Sequence, residues 1–201
     1  MTSYRQREAG RASAALWAAT LLIAIPLTSS TADDDASKEL ELAERFVSAF
    51  YSFDPEPLGD ELTMAGDSKT RILFYQGWAR GGNYIVKERM PCKLLERHIA
   101  SCSITVQDDL VLALGIDFDV TDTFSITFLD GAISAVETSS NDPQRYHDAS
   151  AWVWEHRSDS VDVACNGNED IAPDPDQCVK NMLKGYEEYA RRQGLTPRAP
   201  S

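Results

Sequence analysis

The sequence predicts an α+β domain, with helices first and an antiparallel sheet after them, and three observations carry that expectation. Leu40, Ala43, Phe46, Val47, Phe50 and Phe53 recur at helical spacing. Farther along, Phe124, Ile126 and Phe128 alternate with Ser125, Thr127 and Leu129. Asp130-Gly131 then supplies the two positive-φ positions of a type I′ hairpin turn before an apolar strand resumes at Ala132.

Read in order, the chain opens with Arg5, Arg7 and Arg11 ahead of an apolar run over residues 12–27 that Pro26 interrupts. With the small residues Ser30, Thr31 and Ala32 before Asp33, this is the layout of a secretory signal, cut after Ala32 and leading to a secreted or periplasmic protein. The competing reading is an uncleaved anchor, for which the run is short. No Cys stands near the exit to accept a lipid. Residues 33–201 then form one domain, with a core at 37–140 and a helical extension at 141–193; no repeat or long linker divides them.

After an acidic leader, Asp33 to Asp35, the first helix runs to Asp54-Pro55-Glu56-Pro57, and residues 58–61 read as a turn or a single helical turn. Residues 70–80 hold Ile72, Leu73, Phe74, Tyr75, Trp78 and Ala79, which suits a second buried helix stopped by Gly81-Gly82. A strand is the alternative there, because residues 72–75 are branched and aromatic. Residues 84–87, 92–95, 99–106, 111–120, 123–129 and 132–136 read as successive strands with short connections. Asp142-Pro143 starts another helix through Trp152 to His156, and Asp174-Pro175 starts the last, which turns Val179, Met182, Leu183, Tyr186 and Tyr189 inward. The tail from Gly194 is expected to be loose.

Lys and Arg number 19 against 32 Asp and Glu, a formal charge of −13, and loss of the leader removes three Arg but only one Glu. So acidic a surface repels phosphate backbones and anionic lipids, which excludes nucleic acid and argues against a membrane surface. Cys92, Cys102, Cys165 and Cys178 all follow the leader, and an exported chain oxidises them. Sequential pairing is the economical arrangement. A turn centred on Arg97 places Cys92 opposite Cys102 on adjacent strands, and a Cys165–Cys178 bridge fastens the Asn-, Asp- and Pro-rich segment to the last helix. No Cys-x-x-Cys occurs and none of His98, His147 or His156 has tight ligand spacing, so no metal and no cofactor are expected.

The hairpin Phe-x-Ile-x-Phe-x-Asp-Gly-x-Ile, carried by Phe124, Ile126, Phe128, Asp130, Gly131 and Ile133, follows a Trp-bearing helix and an N-terminal helix that ends at prolines. Over residues 37–140 the chain thereby resembles the nuclear transport factor 2-like superfamily, which includes SnoaL-like cyclases and ketosteroid isomerase. The leader, the four cysteines and the helices after Asn141 depart from its compact members and suggest an exported branch. The resemblance implies a cone-shaped α+β barrel, a curved sheet wrapped around the N-terminal helices, with an apolar pocket inside. It also implies a carboxylate or His base in the members that are enzymes.

Candidates for such a base are Asp117, Asp119, Asp122 and His98. If residues 111–120 are a strand, Leu112, Leu114, Ile116, Phe118 and Val120 share one face, and Asp117 and Asp119 point to the wetter one. Asp122 sits beside an expected bend at 121–123 and ranks no lower. His98 falls in a turn, where exposure is the ordinary fate. Tyr75, Trp78, Tyr84, Phe118 and Phe124 are the expected pocket wall, because such rings line an apolar cavity and can also pack the core. Two functions follow. The first is a module that binds a small apolar ligand or assembles as a homodimer through the sheet face. The second is an isomerase, cyclase or dehydratase with one of the four candidates as base and Tyr75 or Tyr84 as hydrogen-bond donor to an enolate.

Overall fold

A computed structural model describes residues 31–168 and 171–198 of the chain. The expected leader lies outside the described residues, except that the backbone at Thr31 and Ala32 already belongs to the first helix. Seven helices and a five-stranded antiparallel sheet make up these residues, an α+β arrangement in which the sheet is open. No described helix is long and apolar enough to cross a membrane.

Helix α1 (Thr31–Phe50) starts earlier than expected and takes in Asp33 to Asp35, whose charges favour the positive end of a helix. It buries Leu42, Ala43, Phe46, Val47 and Phe50 along one stripe. Phe53 turns the chain with φ 58°. Asp54 then caps α2 (Pro55–Glu61), its carboxylate accepting the Glu56 N–H at 3.1 Å, while Pro55 fits a first turn that needs no donor. Helix α3 (Asp67–Gly81) resolves the choice at 70–80 in favour of helix. Its buried Gln76 donates to the carbonyls of Ala49 and Phe50 at the end of α1 and of Asp54 at the start of α2, tying α3 to both helices.

The sheet is built from β1 (Ile85–Arg89), β2 (Lys93–Glu96), β3 (Ile99–Gln107), β4 (Val120–Leu129) and β5 (Ala132–Ser140), all paired antiparallel. Strands β1 and β2 follow one another along the same edge of β3, so the spatial order is β1 and β2, then β3, β4 and β5. The β4–β5 hairpin turns at Asp130 and Gly131 with φ 51° and 77°, as its sequence requires. Cys92–Cys102 bridges β2's approach to β3 across 4.3 Å between Cα atoms.

One expected strand is absent. Over residues 111–120 the chain instead forms the short helix α4 (Asp109–Ala113) and a loop that leads to β4. Asp108 caps this helix by accepting the Val111 N–H at 2.8 Å, and Leu110 to Leu114 are all buried. A continuous apolar run has no period to separate strand from buried helix, and here the cap decides. Gly115, with φ 67°, ends the turn. The tail also departs from expectation: the Arg198 N–H donates to Leu112 O at 2.8 Å and its guanidinium pairs with Asp117 at 2.7 Å.

Helices α5 (Gln144–His156), α6 (Ser158–Asn166) and α7 (Pro175–Arg192) add a second layer, of which α6 is unheralded in the sequence. Cys165–Cys178 joins α6 to α7 with Cα atoms 4.7 Å apart. Two cores result. One packs α1, α2 and α3 on the sheet; the other gathers Leu110, Leu114, Val153, Val161, Val179, Met182 and Tyr186 around α7. Glycines bring the layers close: a Cβ at Gly77 would meet Pro175 Cγ at 2.3 Å, and one at Gly185 would meet Val153 Cγ2 at 2.4 Å.

Gly185→Ala is expected to destabilise the protein by about 1–2 kcal/mol in urea denaturation, because overpacking outweighs the gain in helix propensity. Adding Val153→Ala restores much of the loss by returning the space. Equal stability of Gly185→Ala and the parent would contradict this close packing.

Candidate functional site

Strand β4 decides what faces inward. Val120, Asp122, Phe124, Ile126 and Phe128 alternate with more exposed neighbours, so the pleat sends a carboxylate into the interior two residues from the most central aromatic ring. Asp122 is 2% exposed. Its Oδ2 accepts the Tyr51 hydroxyl at 3.1 Å, and the Tyr75 hydroxyl is its second hydrogen-bonding neighbour. Burial pushes the carboxyl up to about 6, opposed by those two hydroxyls and helped by the charge of Asp142. Burial likewise holds the Tyr51, Tyr75, Tyr84 and Tyr146 hydroxyls well above their ordinary value, so all four remain donors.

Beside Asp122 a cavity of about 360 Å³ opens between the two layers. Its walls are Phe74, Tyr75 and Trp78 from α3, then Tyr84, and Tyr146 from α5. Asp142, Arg71 and the Thr138 to Ser140 end of β5 complete it. The volume falls in the range of small-molecule sites, and the mixture of rings with a few polar groups is what such sites show. Ser140 Oγ donates to Asp142, and Arg71 Nη2 donates to Val136 O at 2.5 Å.

The expected site residues scatter. Tyr75, Trp78 and Tyr84 lie on the cavity wall, whereas Phe124 lies beneath it in the core. Phe118 is 37% exposed and away from the cavity, because it sits on the loop that replaces the expected strand. Asp117 and Asp119 are on that same loop and exposed, so their outward placement has a different cause from the strand parity assumed for them. Asp122 alone of the four base candidates reaches the cavity.

His98 occupies the two-residue turn between β2 and β3 with φ 64°, and its Nδ1 lies 2.5 Å from Glu39 Oε1. It is at the other end of β3 from Ile104, the residue paired with Asp122. A hollow of about 490 Å³ surrounds it, larger than the Asp122 cavity but bordered by charged side chains of Asp35, Lys38 and Glu39, of which Glu39 is already paired with His98. The aromatic cavity is the better candidate because it combines ring walls with a buried carboxylate. Among the described residues no group of three or more His, Cys, Asp or Glu could hold a metal ion.

Sequence reasoning passed over Tyr51, Phe74, Tyr146, Asp142 and Arg71. One signal was available for Asp122: the alternation of Phe128, Ile126 and Phe124, carried back by two, lands on it. Tyr146 had none, since only the docking of α5 brings it to α3.

The raised carboxyls make stability depend on pH in a definite sense. A folded carboxyl at about 6, against an ordinary 3.8, binds protons that the unfolded chain has released, so stability falls as pH rises from about 4 through 6 and is flat above. Asp108, pushed up by burial to about 7, adds a second fall in the same direction that extends one unit higher. Asp122→Asn is expected to flatten the lower part of the stability-against-pH curve, by a few kcal/mol, in urea titrations at successive pH values. An unchanged slope between pH 4 and 6 would contradict the burial of this carboxyl. No protein-family model matches the chain, and no curated protein or solved structure matches it significantly.

Proposed function

We propose that the protein is an exported small-molecule-binding module whose ligand occupies the cavity between α3, the end of β5 and α5. The observation that carries this reading is a concave wall of five aromatic residues closing on a buried carboxylate. An open antiparallel sheet packed on the N-terminal helices is compatible with a relation to the nuclear transport factor 2-like cone folds, whose pockets lie between sheet and helices. Two disulfides and the charged, apolar beginning of the chain support export.

Assembly through the outer sheet face is the weaker form of this reading. That face is a ladder of hydroxyls, with Ser103 against Thr123 at 3.3 Å and Thr105 against Thr121 at 3.0 Å. The core of a homodimer interface is more apolar than such a surface.

A second reading is favoured by one observation, the Asp122 carboxyl with its pKa near 6 beside tyrosine hydroxyls. A general base works best with a pKa near the operating pH, and a neutral tyrosine can donate to a developing enolate. In an isomerase, cyclase or dehydratase, Asp122 would take a proton from carbon next to a carbonyl while Tyr75 or Tyr84 holds the oxygen. Tyr51 and Tyr75 already donate to Asp122, so the substrate proton would go to a lone pair that those two leave open.

Native mass spectrometry of the protein purified from its own compartment is expected to show a retained small molecule, lost in Trp78→Ala. A mass equal to the polypeptide alone, together with no thermal shift from a broad ligand library, would sink the binding reading. If the base reading holds, Asp122→Asn keeps the retained mass and lowers turnover by about two orders of magnitude or more.

A further inference from the structure

We infer that the cavity takes a small organic cation, an ammonium group carried on an apolar or aromatic body. This rests on the cavity being a binding site, and it names the chemistry that site selects.

The lining carries two carboxylates, Asp122 at depth and Asp142 nearer the mouth, with five aromatic residues around them. Among the described residues the one lining cation is Arg71, on the exposed side of α3, and its guanidinium donates to the Val136 carbonyl. The acids oppose each other: the charge of Asp142 disfavours ionisation of both Asp122 and Asp108. A neutral apolar occupant would remove water from the carboxylates and return nothing. An anionic occupant would set its charge against two carboxylates, with the exposed guanidinium of Arg71 alone to offset them. An ammonium would donate charge-assisted hydrogen bonds to these carboxylates, and the rings of Trp78, Tyr75 and Tyr146 line the same space. Asp122 retains acceptor capacity for it, since a carboxylate offers about four lone-pair sites and two tyrosines occupy part of them.

The test uses three probes of matched shape, phenethylamine, 2-phenylethanol and 3-phenylpropionate, titrated calorimetrically into the disulfide-intact protein at neutral pH. The indole N–H resonance of Trp78 locates the binding. The amine is expected to bind about tenfold more tightly than the alcohol, with the acid weakest. Asp142→Asn, checked for an unchanged melting temperature, is expected to shrink the amine's advantage while leaving the alcohol's affinity in place. An alcohol that binds as tightly as the amine, or an acid that binds best, overturns the cation inference and leaves the pocket standing. If none of the three moves the Trp78 resonance or releases heat, the cavity is not a binding site and both readings fall. If Asp142→Asn melts early, Asp142→Ser read against the same three probes decides the point by the same criterion.

Discussion

The structure hangs on the burial of Phe124. Its ring lies 5.4 Å from Phe46 and 4.9 Å from Phe50 on α1, and 6.2 Å from Tyr75 on α3, so one side chain of β4 sets the distance between the sheet and both helices. Edge-to-face and tilted contacts of this kind contribute beyond the area they bury. They also fix register. Once Phe124 points inward, the pleat obliges Asp122 to do so, and a carboxylate there must find donors. Tyr51 follows Phe50 on the chain, and Tyr75 lies 5.2 Å from Phe50. The packing that demands an inward Asp122 thus also delivers the hydroxyls that satisfy it.

The second layer depends on small residues more than on large ones. Gly77 and Gly81 on α3 let the start of α7 approach its backbone, and Gly185 on α7 admits Val153 of α5. Tyr146 is carried to the cavity by this approach, and its ring stands 5.2 Å from that of Tyr186, edge-on. Trp78 packs against both cores. The cavity is therefore a seam: its rings belong to two layers, and its width follows from the distance between α3 and α5, both of which pack on α7.

Much of the first layer was legible because each signal was local and physically specific. Asp130-Gly131 could form only one kind of turn, the stripe from Leu42 to Phe50 has helical period, and Cys92 and Cys102 straddle a turn at the right separation. The run from Leu110 to Leu114 was illegible for the opposite reason. Every residue in it is buried, so neither period appears, and the deciding feature is a carboxylate cap at Asp108. Helix α6 left no stripe either, since Val161 is its one buried residue. At the site, Tyr75, Trp78 and Tyr84 could be suspected from their chemistry and Asp142 follows from the β4–β5 register that pairs Asp122 with Ser140, while Tyr146 is brought in by tertiary docking that no neighbouring residue announces. One wrong strand carried three residues: it misplaced Phe118, whereas Asp117 and Asp119 are exposed as expected but on a loop.

The sequence separation of the cavity walls bears on the order in which the protein is made. The β4–β5 hairpin and the Cys92–Cys102 loop need only near neighbours and can close early, whereas joining Tyr75 to Tyr146 waits for the last helix to settle on the glycines of α3. The cavity thus depends on contacts far apart in the sequence, and anything bound in it would need both layers docked. Such a ligand would act as a clasp on the C-terminal layer, protecting that layer from local opening more than the sheet beneath it.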